Sequence, residues 1–170
     1  MTRNTSDLSR KLRLRYFDEL KIAVICFNGQ YFPGEVYEAT VSLVAKYGQQ
    51  LRTMQYLIYD YSRVTSVSFA NTDYAFYQIK SNEMRKFLEN EGLSNLPSEL
   101  QLCEITPVRE SAKKSWLEAE QRIARAIEQE GLLEKDSVIA GDWIALQGLL
   151  RRDLNELIRW TTTGDDNESL

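Results

Sequence analysis

The stretch that decides the fold is Met54-Gln-Tyr-Leu-Ile-Tyr-Asp-Tyr-Ser-Arg-Val-Thr-Ser-Val-Ser-Phe69. Its first part, residues 54–59, is almost continuously apolar, which is typical of a parallel strand buried on both faces. Polar residues begin at Asp60 and predict that the strand ends there and a loop follows. Asn71 and Asp73 then supply the capping group and the early negative charge of a helix. In open α/β sheets, ligands and partners bind at the carboxyl end of such a strand.

The residues before this strand–loop–helix unit predict a hairpin and a helix. Residues 10–17 alternate apolar and cationic side chains, which predicts a half-buried strand with a cationic outer face. We expect these cations to be solvated or to protect a sheet edge. A turn at 18–19 and a buried run at 21–27 complete an antiparallel hairpin. Helical spacing of apolar residues then predicts a helix over 34–47.

The residues after the unit continue the alternation of helices and strands. The pattern predicts a helix over 71–90, a strand over 100–105, a helix over 113–130, a short edge strand over 138–140 and one long final helix over 143–160. We therefore expect an α/β fold with one mixed, mainly parallel sheet of about five strands, an N-terminal antiparallel hairpin and about four helices.

Domain organisation follows from the absence of linkers and repeats. We expect a single domain over residues 1–170, with a core at about 8–160 and flexible ends at 1–9 and 161–170. The long final helix and the exposed edge of a short fifth strand both favour a homodimer.

Composition excludes several kinds of function. Of the 170 residues, 43% are hydrophobic and 27% are charged, and the net charge is −4, so we expect no nucleic-acid partner. The chain has no histidine, which removes Ser-His and Cys-His pairs and most zinc sites. No segment approaches the roughly 18 apolar residues that span a bilayer, and the N-terminus lacks the apolar core of a signal peptide. We expect a cytoplasmic protein with no membrane insertion, no metal and no cofactor.

The central unit offers few groups for catalysis. It contains neither a glycine-rich phosphate loop nor a G-x-S-x-G nucleophile motif. Asp60 and Asp73 could form an acid–base pair, but we favour structural roles at loop amides and at a helix N-terminus. Cys26 and Cys103 lie in apolar runs and are expected to be buried, reduced thiols. We therefore expect no enzymatic activity.

Serines and aromatic residues near the unit suggest binding instead. A phosphate on Ser62, Ser66 or Ser68 would place negative charge near a helix start, although turn serines more often bond the backbone. The aromatic side chains could line a pocket for an apolar ligand or pack in the core. The pocket candidates are Tyr59, Tyr74, Phe76 and Tyr77.

The segment Asp60-Tyr-Ser-Arg-Val-Thr-Ser-Val-Ser-Phe-Ala-Asn71 resembles a family signature. STAS-type domains (sulphate transporter and anti-sigma-factor antagonist) carry the pattern Asp, then Leu, Phe or Tyr, then Ser, any residue, Val and Thr. The resemblance is closest to the bacterial SpoIIAA-like branch, which is related to CRAL-TRIO lipid-binding domains. The predicted element order agrees with this family over about residues 8–158.

The resemblance implies a non-catalytic regulatory module that docks a protein partner through the loop. In anti-sigma-factor antagonists a partner kinase phosphorylates a serine, but the corresponding position here is Phe69, which has no hydroxyl. The resemblance therefore does not carry that kinase switch over. The alternative is a carrier or sensor of a small apolar or lipid-like ligand. The residues expected to bind the partner are Asp60, Ser62, Ser66, Ser68, Phe69, Asn71 and Asp73.

Overall fold

One mixed sheet of five strands organises the chain. The computed structural model describes residues 11–68, 74–94, 96, 100–129 and 137–163, with side chains for all of these except 74–78, 80–81 and 126–129. The strands are β1 (Leu12–Phe17), β2 (Ile22–Tyr31), β3 (Tyr56–Val67), β4 (Gln101–Ile105) and β5 (Ser137–Ala140), in that order across the sheet. β1 and β2 are antiparallel, and the other neighbouring pairs are parallel. The predicted fold class and the N-terminal hairpin are confirmed.

Helices cover both faces of this sheet. The described helices are α1 (Glu35–Tyr47), followed by a 3-10 helix (Gly48–Thr53), α2 (Tyr74–Asn90), α3 (Glu110–Gln129), α4 (Trp143–Leu150) and α5 (Asn155–Thr163). α1, α2 and α3 share one core cluster with the sheet, represented by Leu43, Leu88 and Trp116. α4 and α5 pack on the opposite face, where Leu146 and Leu157 join a second cluster.

β2 and β3 both run further than their sequences predict. Their pairing skips a residue of β3 at two places, between Cys26 and Asn28 and between Gly29 and Gln30. Each extra residue is a bulge that shifts the alternation of side chains between the two faces. Gly29 lies at one bulge with a φ of 77°, a conformation that glycine adopts without strain. The predicted loop after residue 60 is wrong, because the strand continues to Val67.

The predicted final helix is two helices, α4 and α5. Arg151 adopts a left-handed conformation, with a φ of 53°, and ends α4. The Gln147 side chain then accepts a hydrogen bond from the Leu154 N–H at 2.7 Å, and the Asp153 carboxylate accepts one from the Asn155 N–H at 2.9 Å. These side chains satisfy backbone groups that a continuous helix would pair. The long-helix argument for a homodimer therefore no longer applies.

Candidate functional site

Asp60 lies where β4 stops pairing with β3, since its partner Ile105 is the last residue of β4. The side chain is buried, with the residue 5% exposed. Its carboxylate accepts hydrogen bonds from the Trp143 indole N–H and the Ser62 backbone N–H, each at 2.9 Å. The Cys26 thiol donates more weakly, with its sulfur 3.9 Å from the carboxylate. Asp60 therefore connects the start of α4 to the sheet through a hydrogen bond.

Two arginines of the same part of the sheet donate hydrogen bonds to α5. Arg13 donates to the Trp160 carbonyl at 3.1 Å, and Arg63 donates to the Thr161 carbonyl at 3.0 Å. Both carbonyls belong to the last turn of α5, where carbonyl groups lack helical partners and positive charge is favourable. The Arg13 guanidinium also lies 4.4 Å from the centre of the Trp160 ring. The expectation of a solvated Arg13 is wrong, because α5 covers it.

The space between these groups is too small for a substrate. It has a volume of about 10 Å³ and is bounded by Arg13, Asp60 and Arg63, among others. That volume is the size of a single water molecule. Burial raises the pKa of the Cys26 thiol well above its ordinary value, and the nearby Asp60 carboxylate raises it further. A thiol that stays neutral is a poor nucleophile, so the arrangement fits a structural role.

Beyond Asp60, residues 28–31 and 62–67 extend the paired strands β2 and β3, and we call this part the β2–β3 ribbon. Its Tyr31 and Val64 side chains are buried in the core. Within it Gln30 pairs with Ser66, and Tyr31 pairs with Val67. β4 ends its pairing with β3 at Asp60, so among the described strands this part of β3 pairs with β2 alone. Its first carbonyl, that of Ser62, accepts a hydrogen bond from the Val108 N–H at 3.2 Å. The ribbon thus carries a strand edge and exposes three polar side chains, those of Gln30, Thr65 and Ser66.

The residues predicted to form one partner-binding loop lie in different environments. Asp60 is buried, Ser62 is half-buried in β3, and Ser66 is exposed on the ribbon. Ser68 is half-buried, and its backbone N–H donates to the Tyr31 carbonyl at 2.9 Å. The remaining predicted residues, Phe69, Asn71 and Asp73, lie outside the described part of the chain.

The aromatic residues of β2 and β3 pack against one another in the core. The ring centroids of Phe27, Tyr31 and Tyr61 lie 4.9 to 5.1 Å apart. Trp116 of α3 lies 5.3 Å from Tyr61, and the buried Tyr59 ring lies 6.2 Å from Tyr61. Tyr59 is therefore a core residue in this arrangement. The other predicted pocket residues are in α2, and their side chains lie outside the description: Tyr74, Phe76 and Tyr77.

A larger space lies between α1 and α2, and we call it the α1–α2 groove. Its volume is about 410 Å³, and its lining residues are Tyr37, Glu38, Val41 and Ser42 from α1 and Glu83, Met84 and Phe87 from α2. The sequence pattern does not reveal this groove, because it predicts that the apolar side of α2 faces the core. One general rule could have indicated the groove. Consecutive crossover helices of a parallel sheet lie side by side when they cover the same face, so α1 and α2 are expected to be neighbours.

The sequence matches no protein-family model and no curated protein. The resemblance to STAS-type domains therefore rests on the motif at residues 60–71 and on the order of the elements. Within the described ranges, no group of three or more Cys, Asp or Glu side chains is placed to hold a metal ion. None of the helices that the structure describes has the length and apolar character needed to cross a membrane.

Proposed function

We propose that this chain is a non-catalytic, cytoplasmic regulatory module of the STAS type, similar to the SpoIIAA-like branch, that docks a protein partner. The partner binds the β2–β3 ribbon and the start of α2. One observation carries the proposal: β2 and β3 continue past the end of β4. Beyond Ser62, whose carbonyl accepts a hydrogen bond from the Val108 N–H, β3 pairs with β2 alone among the described strands and exposes Thr65 and Ser66. Strand edges of this kind bind extended segments of other proteins through main-chain hydrogen bonds.

The state of the buried polar groups supports binding over catalysis. Asp60 is engaged by the Trp143 indole and by a backbone N–H. Arg13 and Arg63 are engaged by the last carbonyls of α5. Groups held in this way provide no free base or nucleophile to a substrate at this edge of the sheet. Their hydrogen bonds hold α4 and α5 on the sheet that carries the ribbon.

A carrier of a small apolar or lipid-like ligand is the second candidate function. The α1–α2 groove favours it, because its volume of about 410 Å³ lies in the range of small-molecule sites. Tyr59 does not contribute to that groove, since it is buried beside Tyr61. Native mass spectrometry of the purified protein would show a bound ligand as added mass, and its repeated absence would count against a carrier.

Self-association through β5 stays a prediction. β5 is the last strand in the sheet order and has four residues. Its Ile139 side chain is 52% exposed, which gives this edge an apolar surface. A second copy that pairs along β5 would leave the β2–β3 ribbon accessible, because β4 lies between β5 and the ribbon in the sheet.

Affinity capture with charge variants tests the proposed function. Ser66→Glu adds a charge to the ribbon, and Ser111→Glu adds the same charge to another exposed serine, in the first turn of α3. We expect proteins that are enriched on the wild-type chain to be lost with Ser66→Glu and retained with Ser111→Glu. Identical capture by all three proteins would contradict docking through the ribbon.

A further inference from the structure

The exposed side of α4 carries no polar side chain, and the structure describes every residue of this helix. Ile144 is 66% exposed and Leu149 is 60% exposed. The opposite side is also apolar, since Trp143 and Leu146 are buried in the second core cluster. A helix that is apolar all round is typical of one that is covered on both sides. We call the exposed residues the α4 face, and they are Ile144, Ala145, Gly148 and Leu149.

Gly148 lies in the middle of the α4 face, although the fold of one copy does not require a glycine there. A Cβ added at this position would meet no other part of the chain within 4 Å, and the φ of this residue is not positive. Glycine in a helix interior is less favourable than alanine. Gly148 and its neighbour on this face, Ala145, leave the backbone of α4 accessible to the close approach of another helix.

The order of residues in the α4 face matches that of a second copy that runs in the opposite direction. Counted outward from the midpoint of the helix, Ala145 corresponds to Gly148, and Ile144 corresponds to Leu149. A two-fold axis at that midpoint sets two copies of α4 antiparallel, so that corresponding residues face each other. The small residues then meet where the two backbones are closest, and a large apolar residue of each copy lies against one of the other on either side.

Opposite charges at the two ends of α4 favour the same arrangement. Asp142 precedes the helix and Arg151 follows it, and both are exposed and equally far from its midpoint. The Asp142 carboxylate accepts the Ala145 N–H at 2.7 Å, which leaves its charge and its second oxygen for a cation. Among the described residues, no acidic side chain pairs with Arg151. In an antiparallel pair each Arg151 lies at the Asp142 of the other copy, so two ion pairs complete the contact.

We propose that this chain forms a two-fold homodimer in which the α4 faces of two copies pack antiparallel. None of these residues belongs to the β2–β3 ribbon, so the inference goes beyond the proposed function and stands without it. The contact also differs from pairing along β5, which joins strand edges. Two short helices bury less than the roughly 1,200 Å² of a standard interface, so we expect a dissociation constant of about 10–100 μM.

Sedimentation velocity at protein concentrations below and above this range tests the inference. We expect the wild type to change from monomer to dimer as the concentration rises. The variant Ile144→Ser/Leu149→Ser removes the large apolar side chains of the face and should weaken the dimer by at least about tenfold. The control Val41→Ser/Leu117→Ser changes two apolar side chains that are 39% and 40% exposed on helices of the other sheet face, and it should associate like the wild type.

Charge reversal tests the two ion pairs. Arg151→Glu places two carboxylates at each end of the contact and should weaken the dimer by about tenfold. Lys114→Glu makes the same change of charge at an exposed position of α3, on the other face of the sheet. This control should leave the dissociation constant unchanged, and equal weakening by both variants would show that only the net charge matters.

Disulfide formation between copies tests the antiparallel register. Ala145→Cys and Gly148→Cys place thiols at two positions that face each other across the axis. A mixture of the two variants should therefore form mixed covalent dimers in excess over random pairing, and mass spectrometry distinguishes these products. The native thiols of Cys26 and Cys103 are buried and do not compete. Random pairing in the mixture would contradict this register.

Three further results would overturn the inference. A wild type that stays monomeric at the highest concentration would leave the α4 face to another protein. Equal dissociation constants for Ile144→Ser/Leu149→Ser and for its control would place the contact elsewhere. A dimer that Ile139→Asp abolishes and the α4 variants leave intact would show pairing along β5.

Discussion

Both faces of the sheet have an apolar core, and they differ in the contacts that are added to it. On the face that α1, α2 and α3 cover, which we call the aromatic face, Tyr31, Tyr61 and Trp116 are buried and adjacent rings lie about 5 Å apart. On the face that α4 and α5 cover, which we call the pinned face, Asp60 and two arginines make directional hydrogen bonds to the helices. Ring packing depends on how completely the side chains fill the space between the layers, whereas a hydrogen bond depends on the presence of one donor atom and one acceptor atom.

This difference shows what the polar residues at the end of β3 do. α4 has eight residues and α5 has nine, and helices of that length are not stable alone. Apolar packing in the second core cluster stabilises these short helices, and directional bonds from Asp60, Arg13 and Arg63 add to it at single positions. The polar groups at the end of β3 thus hold α4 and α5 in place on the sheet. The surface that we propose for a partner is the β2–β3 ribbon beyond them.

Alkaline pH should break the aromatic face and unfold the whole protein. Burial raises the pKa values of Tyr31, Tyr59 and Tyr61 above their ordinary value of 10.0. The pKa values of these tyrosines are higher in the folded state than in the unfolded state, so their neutral side chains contribute fully to the free energy of unfolding below pH 10. That contribution is lost as the pH rises toward the folded-state pKa values. Burial raises the pKa of the Cys103 thiol from 9.0 to about 12. This thiol therefore also lowers the free energy of unfolding as the pH rises above 9.

Parallel titrations of tyrosine absorbance and circular dichroism measure this effect. We expect part of the tyrosine absorbance change to appear only together with the loss of the circular dichroism signal. Ionisation of all nine tyrosines near pH 10, with the circular dichroism unchanged, would show that the aromatic face is open to solvent.

Truncation of Trp116 should have the next largest effect. The side chain is fully buried against Tyr61, so Trp116→Ala leaves a large cavity and should lower the free energy of unfolding by about 3–5 kcal/mol. Urea denaturation measures the loss. The neighbouring Leu117 is 40% exposed, and Leu117→Ala should cost no more than about 1 kcal/mol. Equal losses in the two variants would contradict the packing described for this face.

Replacement of Asp60 should have a smaller and more local effect. An amide side chain at this position would offer one oxygen in place of two, so Asp60→Asn should lose the bond to Trp143 or to Ser62 and cost about 1–3 kcal/mol. Amide hydrogen exchange should rise in α4 and α5 and stay unchanged in α1. Asp18→Asn, in an exposed ion pair with Lys21, is the control. A uniform rise in exchange over all helices would show that the two faces are not held separately.

Much of the fold could be predicted because it follows from local pattern. The cationic alternation before Phe17 and the apolar run at 54–59 are enough to give the hairpin and the central parallel strand. The extension of β3 could not be predicted in this way. Its bulges place Tyr61, Val64 and Val67 on the aromatic face at spacings of three residues, and a strand with that spacing does not show the period of two that identifies strands.

The site was less predictable because it depends on distant residues. Asp60 accepts a hydrogen bond from a nearby backbone amide as expected, but that amide, the Ser62 N–H two residues away, belongs to β3 and not to a loop. The bond to Trp143 joins residues 83 positions apart, and no sequence pattern connects them. The break between α4 and α5 contains no glycine or proline between Leu149 and Asn155, the residues that usually mark a helix end. The groove depends on the relative position of two helices, which neither helix encodes alone.

Photo-crosslinking tests the central claim, that the β2–β3 ribbon is a partner surface, most directly. A photoreactive amino acid is placed at Ser66 of the ribbon or, in a separate protein, at the equally exposed Ser111 of α3, and each is irradiated in extracts of the cells that produce the chain. We predict one dominant covalent adduct with another protein from position 66 and none from position 111. The same adducts from both positions, or none from position 66, would contradict the claim.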